Sequence, residues 1–243
     1  MAKLAPQAQD VLSTVYDKKF GAEKDAVIRD LCTGSSIVPD NSRKGSFDVE
    51  IQDVLEFINS LPAYLSTSSC SGRTMLYSRE GEGKGDCVWH YVAHEHDFNQ
   101  EAFISALRKL KKDGNAASNV ALKFEPFILH IRCRTLSDAQ TLHALSVQAG
   151  FRNSGITVRR KGKEGFGIHV AIRSTLHLDM PIALNRTFIV SEESFALLAE
   201  DITCKILKNS LQSERFQKAL HTAFRDRPDV AEIREDIVVE EPP

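Results

Sequence analysis

The chain has no run of about 18 apolar residues, so no segment reads as a transmembrane helix. Its amino terminus has no basic start, apolar stretch and small-residue cleavage pattern of a secretory signal, and the expectation is a cytoplasmic protein without a membrane partner. Five cysteines, Cys32, Cys70, Cys87, Cys133 and Cys204, form no C-x-x-C pair, which removes a zinc ribbon and a disulfide framework and leaves free thiols. A P-loop, a G-x-G-x-x-G segment opening a helix and a G-x-S-x-G elbow are all missing, which excludes the common nucleotide cradles and the serine-hydrolase turn. Net charge is also scarce: at -2 over 243 residues, a uniformly basic nucleic-acid binder is excluded.

What is present is an ordinary globular composition, 42% hydrophobic and 26% charged, with an uneven distribution of charge. Arg152, Arg159, Arg160, Lys161 and Lys163 cluster within a short span, whereas residues 229–243 are strongly acidic. A local basic patch is therefore compatible with the balanced total. We expect a single domain over residues 1–227 and a loose acidic tail over 228–243.

Hydrophobic spacing predicts a helix over residues 4–31, with a break near Gly21, and a short helix carrying Ile51, Val54, Leu55 and Ile58. Tyr64-Leu65 reads as a strand entering the small-residue segment 67–73, itself read as a loop, and residues 73–78 and 87–93 read as hairpin arms. Asp97 or Asn99 is placed to cap a helix with Phe103, Leu107 and Leu110. Residues 121–134 alternate, with Ile128, His130, Arg132 and Arg134 on a largely cationic face and Phe127, Leu129, Ile131 and Cys133 on a core face. Ser137 with Gln140 reads as a capping box, Gly150 as a left-handed stop, 156–160 and 166–173 as paired strands, 187–190 as another, and Ser191 as the cap of a long last helix. This order predicts an α+β fold with mixed, largely antiparallel sheets and packed helices, and the recurrence of strand, helix and hairpin suggests pseudo-duplication.

The segment Thr67-Ser68-Ser69-Cys70-Ser71-Gly72-Arg73 concentrates hydroxyls, a glycine and an arginine, groups that donate hydrogen bonds to a carboxylate or phosphate. A polar turn is the competing reading. His130, Arg132 and Arg134, with Arg152-Asn153-Ser154-Gly155 returning after a helix, form a second set of donors, against which stands a merely solvated face. His90, His94 and His96 share a face if their strand stays regular, but no second ligand pair is evident and no metal is expected. Cys70 among serines suggests a nucleophile, although spatial adjacency to a base is not readable from order, and Trp89 can stack on a base or simply pack.

Together these segments resemble the family of tRNA wybutosine-synthesising methyltransferases. The resemblance rests on Asp40-Asn41-Ser42-Arg43-Lys44-Gly45-Ser46-Phe47-Asp48, the segment 67–73, Lys84-Gly85 with Trp89, Glu125-Pro126 with Leu129-His130, and residues 150–156, and covers about residues 20–216. It implies methyl transfer from S-adenosylmethionine to a ring nitrogen of demethylwyosine, beside the anticodon of phenylalanine tRNA, in a fold unlike the Rossmann methyltransferases. It further implies that Ser69, Ser71, Gly72, Arg73, His130, Asn153, Ser154 and Gly155 hold the cofactor. Substrate would meet Asp40, Ser42, Lys44, Asp48, Lys84, Trp89, Arg132, Arg134, Arg152, Arg159, Arg160 and Lys161. Gly85 is followed by Asp86, where many relatives have a second glycine. No catalytic residue is assigned, and association with other enzymes of the pathway is compatible with the resemblance. The rival readings are a non-catalytic RNA-binding protein of the same fold and a metal-dependent hydrolase.

Overall fold

A computed structural model describes residues 20–26, 28, 51–79, 87–112, 119–160 and 166–225. The elements, in chain order, are α1 (Gln52–Ser60), β1 (Tyr64–Arg79), β2 (Cys87–His94), α2 (Gln100–Lys112), β3 (Asn119–Cys133), α3 (Leu136–Gln148), β4 (Gly155–Arg160), β5 (Phe166–Arg173), β6 (Leu178–Leu184), β7 (Thr187–Phe188) and α4 (Ser194–Phe224). Residues 20–26 and 28 are also helical, and Gly21 does not interrupt them. The α+β architecture expected from the sequence is the one observed. The acidic tail and the start of the first helix lie outside the described residues.

The chain forms two compact units, neither continuous in sequence. The first comprises Met1–Ser69, Leu129–Arg173 and Arg215–Pro243. Its strand order is β1-β3-β5-β4, with β4 and β5 an antiparallel hairpin that pairs Gly155 with Ala171 and Arg160 with Phe166. Helix α3 packs on that hairpin. Val54, Leu55 and Ile58 of α1, Leu129 and Ile131 of β3, Leu142 of α3 and Val170 and Ile172 of β5 are buried, so the period-3.6 and period-2 apolar patterns became the two kinds of core face. Phe151 meets Phe216 edge-on with centroids 5.8 Å apart, and Tyr64 meets Phe224 at 5.6 Å. The buried Cys133 thiol is pushed up to about 12 by desolvation, which leaves it unreactive.

Both ends of α3 are set by local chemistry. Thr135, with extended backbone, accepts from the Asp138 N–H at 3.1 Å, and the Asp138 carboxylate accepts from the Thr135 N–H at 3.1 Å. This capping box lies two residues before the expected Ser137–Gln140 pair, because Ser137 already falls inside the first turn. Gly150 adopts φ 104°, and the Phe151 and Gly150 N–H groups return to the carbonyls of Ser146 and Val147, the two bonds of a Schellman stop.

The second unit comprises Cys70–Ile128 and Ser174–Glu214. β1 pairs antiparallel with β2, β3 with β6, and β6 with β7, around a core of Leu76, Phe103, Leu107, Val120, Leu122, Ile182, Phe195, Ala199 and Ile202. Asn99 caps α2, its side chain accepting from the Ala102 N–H at 2.8 Å. Strand β6 escaped the sequence reading because Pro181 stands inside it, opposite Ala121 beside an irregularity in the ladder. The following turn has Leu184 paired to Thr187 with Asn185 and Arg186 at φ 48° and 65°, the two positive angles of a type I′ hairpin without the usual glycine signal.

The cationic face expected on β3 is not solvated throughout. Arg132 is 4% exposed, is ion-paired to Glu23 and lies over the Phe20 ring at 5.6 Å, so its charge is used to fix the amino-terminal helical stretch within the first unit. Lys24 in the same stretch donates to the Leu61 carbonyl, and burial lowers its ammonium from 10.5 to about 8. Between those values the unfolded chain holds more protons than the native one. Native stability should therefore rise as pH increases from 8 toward 10.5, and urea titrations of Lys24→Met should lack that rise.

The segment 67–73 is not a loop but the middle of β1. Gly72 has φ 136°, and a Cβ there would stand 3.1 Å from the Asn209 side chain and 3.3 Å from the Glu125 carbonyl. Asn209, fully buried on α4, accepts from the Phe127 N–H at 2.8 Å and donates to the Ser71 carbonyl at 2.8 Å. Gly72→Ala should cost about 1–3 kcal/mol through strain and crowding. Asn209→Ala should cost about 1–3 kcal/mol for each backbone group left unsatisfied. Chemical denaturation measures both losses, and wild-type stability in Asn209→Ala would show that the amide is dispensable.

Candidate functional site

In the first unit, three neighbouring strands and a turn join four polar side chains. The Thr67 hydroxyl donates to the His130 carbonyl at 3.1 Å, which ties β1 to β3 one residue before the site begins. Ser68 Oγ lies 2.9 Å from His130 Nδ1, and His130 Nε2 lies 3.4 Å from Arg173 Nη2 at the end of β5. A guanidinium only donates, so Nε2 is the acceptor, the imidazole is neutral, and its proton sits on Nδ1 and is donated to Ser68. Half-burial lowers the His130 pKa from 6.5, and the neighbouring Arg173 cation lowers it further, consistent with that assignment.

Arg173 is held from its backbone as well. Its N–H donates to Ser154 Oγ at 3.2 Å, and the Ser154 carbonyl accepts from His143 Nε2 of α3 at 3.1 Å. The stop at Gly150 turns the chain through residues 151–154 into β4, with the Ser154 N–H bonded to the Phe151 carbonyl at 3.1 Å. His130 and the Ser154-Gly155 segment, paired on sequence grounds, are thus linked through Arg173. Its guanidinium is exposed and spends one Nη2 contact on the imidazole, so it can present forked donors to a carboxylate or phosphate.

From Cys70 onward, segment 67–73 belongs to the second unit, where Ser71 and Arg73 have structural partners. Arg73 donates to Glu125 Oε2 through Nε at 2.8 Å and Nη2 at 2.6 Å, and Lys123 approaches Oε1 at 3.0 Å. Burial works to raise the Glu125 pKa, but the hydrogen bonds and charges of Arg73 and Lys123 outweigh it and hold the carboxyl below its ordinary value. Ser71 is buried with its carbonyl on Asn209, whose amide also reaches Glu95 Oε2 at 3.1 Å. The glycine of this segment therefore serves the approach of Asn209. Cys70 is half-buried and, like Cys87, Cys133 and Cys204, takes part in no disulfide among the described residues.

The other candidates are distributed as follows. Ser69 is half-buried in β1 and Gly155 opens β4. Arg134, Arg152, Asn153 and Arg159 are exposed, and Arg160 ends β4. Trp89 is 53% exposed on β2, with its ring 5.6 Å from that of Tyr77. Asp40, Ser42, Lys44, Asp48, Lys84 and Lys161 lie outside the described residues. The three strand histidines do not share a face. The β1–β2 register skips His90, which bonds Ser78 at 2.9 Å, the strand ends at His94, and His96 lies in a 3₁₀ turn. Among the described residues no three His, Cys, Asp or Glu side chains are grouped to hold a metal.

Arg173, His143 and Asn209 were missed by the sequence reading, which included Ser68 in the hydroxyl-rich segment but not among the residues assigned to the cofactor. Arg173 did carry a signal as the last residue of an alternating strand whose partner begins at Gly155, and Asn209 interrupts the apolar stripe from Ile202 to Phe216. His143 had none beyond its place on α3, since its partner is a backbone carbonyl.

Known proteins share both the sequence and the fold. A tRNA wybutosine-synthesizing protein 3 homolog of Xenopus laevis is 40% identical over 190 residues, 76% of this chain and 71% of that one. The human homolog is 38% identical over 76% of this chain and 69% of its own, and the Schizosaccharomyces pombe tRNA wybutosine-synthesizing protein 3 is 33% identical over 81% of each. The fold is that of the PH1069 protein from Pyrococcus horikoshii, with a TM-score of 0.68 at 24% identity over 85% of this chain and 98% of that one. The family model described as Methyltransferase TYW3 matches residues 22–222, a span that contains both the His130 network and the Arg73 ion pairs, and the chain belongs to that methyltransferase family.

Proposed function

We propose that this protein is a cytoplasmic enzyme that transfers a methyl group from S-adenosylmethionine to a ring nitrogen of demethylwyosine beside the anticodon of phenylalanine tRNA. The relatives named as wybutosine-synthesizing proteins support the pathway. The observation that carries the reading within this chain is the Ser68–His130–Arg173–Ser154 network.

That donor set fits the amino-acid end of the cofactor. Arg173 suits a carboxylate, and a neutral His130 adds no second cation where an amine and a sulfonium must also be accommodated. S-adenosylmethionine supplies an electrophilic methyl group when bound. The chain's part is to hold and orient: Ser154 fixes the Arg173 backbone, His130 sets its guanidinium, and Ser68 sets the tautomer of His130. With its Nε2 lone pair engaged by Arg173, His130 is a positioning residue and not the base. Alignment of this kind contributes up to roughly 7–11 kcal/mol in favourable systems. The exposed Arg134, Arg152 and Arg159 supply phosphate contacts, and the exposed face of Trp89 suits a base.

Arg173→Gln should weaken S-adenosylmethionine binding by roughly tenfold to a hundredfold, the loss of about 1.5–3 kcal/mol from a charged hydrogen bond, without lowering the thermal midpoint. Calorimetry reads this. Saturable heat with the wild type and an unchanged affinity in the variant would remove Arg173 from the site, and absence of heat with either would favour a non-catalytic RNA-binding protein.

Protonation of His130 gives an independent check. Because its native pKa lies below 6.5, its contribution to stability is fully present above that value and is lost as pH falls through the native pKa. Methyl transfer should fall over the same window, since the imidazolium repels Arg173 and loses its acceptor. His130→Gln should flatten the thermal midpoint between pH 7.5 and about 5 relative to the wild type. Equal slopes in the two proteins would show that His130 does not titrate in this range.

A further inference from the structure

The Arg173 network reaches past the groups that touch its guanidinium and into α3. Ala139, Leu142 and Ser146 belong to the buried face of that helix, and His143 stands half-buried at its rim. His143 Nε2 lies 3.1 Å from the Ser154 carbonyl, and because a carbonyl only accepts, this nitrogen carries a proton and donates it. The helix is a fixed platform for the donor, with the Thr135–Asp138 box at one end and the Gly150 stop at the other.

Ser154 has two separate attachments. Its carbonyl is held by His143, and its hydroxyl oxygen receives the Arg173 N–H at 3.2 Å just past the last pair of the β4–β5 ladder, Gly155 with Ala171. Phe151 anchors the start of the turn in the core, Arg152 and Asn153 are exposed, and the contact with His143 anchors its end. The two histidines differ in what they require. His130 serves Arg173 only as a neutral acceptor, whereas His143 donates from Nε2 either as that neutral tautomer or when protonated, so its clamp persists where His130 changes charge.

We propose that His143 is a positioning residue for the anion site: from α3 it fixes the Ser154 carbonyl, and through Ser154 it sets where Arg173 leaves β5 and meets His130. It orders the guanidinium without touching the ligand. The identity of that ligand as the carboxylate of S-adenosylmethionine rests on the function proposed above, whereas the link from His143 to Arg173 is independent of it.

Nuclear magnetic resonance titration of the His130 ring, identified among the eight histidines by its loss in His130→Gln, reads the position of Arg173 without any ligand. The wild-type midpoint lies below 6.5 because burial and the Arg173 cation disfavour the imidazolium. His143→Leu keeps bulk on the helix and removes the donor, so Arg173 should drift from His130 and the midpoint should rise. His143→Gln places an amide N–H near the same point and should restore the wild-type midpoint. His143→Asn, too short to reach, should behave as His143→Leu and replaces it if the leucine variant does not fold. Calorimetry with S-adenosylmethionine should follow the same order, with affinity about threefold to tenfold weaker in His143→Leu, the worth of one neutral hydrogen bond. In Ser154→Ala, where the hydroxyl link is already cut, His143→Leu should add little. An unchanged His130 midpoint in His143→Leu, equal shifts with leucine and glutamine, or losses that add fully to those of Ser154→Ala would overturn the proposal. A raised midpoint with no change in cofactor affinity, or with no cofactor binding by the wild type, would uphold the positioning and overturn the cofactor's assignment to this site.

Discussion

A strand that carries a hydroxyl-rich run stays in a sheet only if its buried polar groups find partners, and the structure turns on how β1 meets that constraint. In the second unit the Asn209 amide satisfies the Ser71 carbonyl and the Phe127 N–H at once, at a point where Gly72 has removed the side chain that would obstruct it. In the first unit Thr67 and Ser68 bond to the backbone and the ring of His130. One part of the run holds the sheet together. The other orders a cluster that presents a guanidinium to solvent.

Three arginines that look alike in the sequence are separated by their partners. Arg132 is buried against Glu23 and Phe20, where removal of its counter-ion leaves an uncompensated charge. Arg73 is shared with Lys123 over one carboxylate, a surface-facing arrangement whose net stabilisation is small. Arg173 has a neutral acceptor in His130, which orients it without cancelling its charge. Only the last combination leaves a fixed cation with its electrostatic attraction intact, which is what an anionic group recognises.

Elements governed by local rules are legible in the sequence. The alternation of residues 127–133 marks the core face of β3, the Ile51 to Ile58 spacing marks α1, and Gly150 marks the end of α3. Failures came where tertiary context overrode composition. The small-residue segment resembles a loop in every local respect, yet Asn209, over a hundred residues away in sequence, keeps it in a strand. Pro181 concealed β6, and Asn185-Arg186 concealed a tight hairpin because neither is glycine. In the site, His130 and Ser154 were visible as residue types, whereas Arg173 joins them through one side-chain and one backbone contact that leave no spacing to read.

The division of the chain bears on how it is made. Each unit draws on three or two separated stretches, and α4 contributes Phe195 to Gln212 to one and Phe216 to Phe224 to the other. Neither core can close on a nascent chain that stops short of this helix. Each half therefore waits on contacts between stretches far apart in sequence, and such non-local closure makes for slow folding.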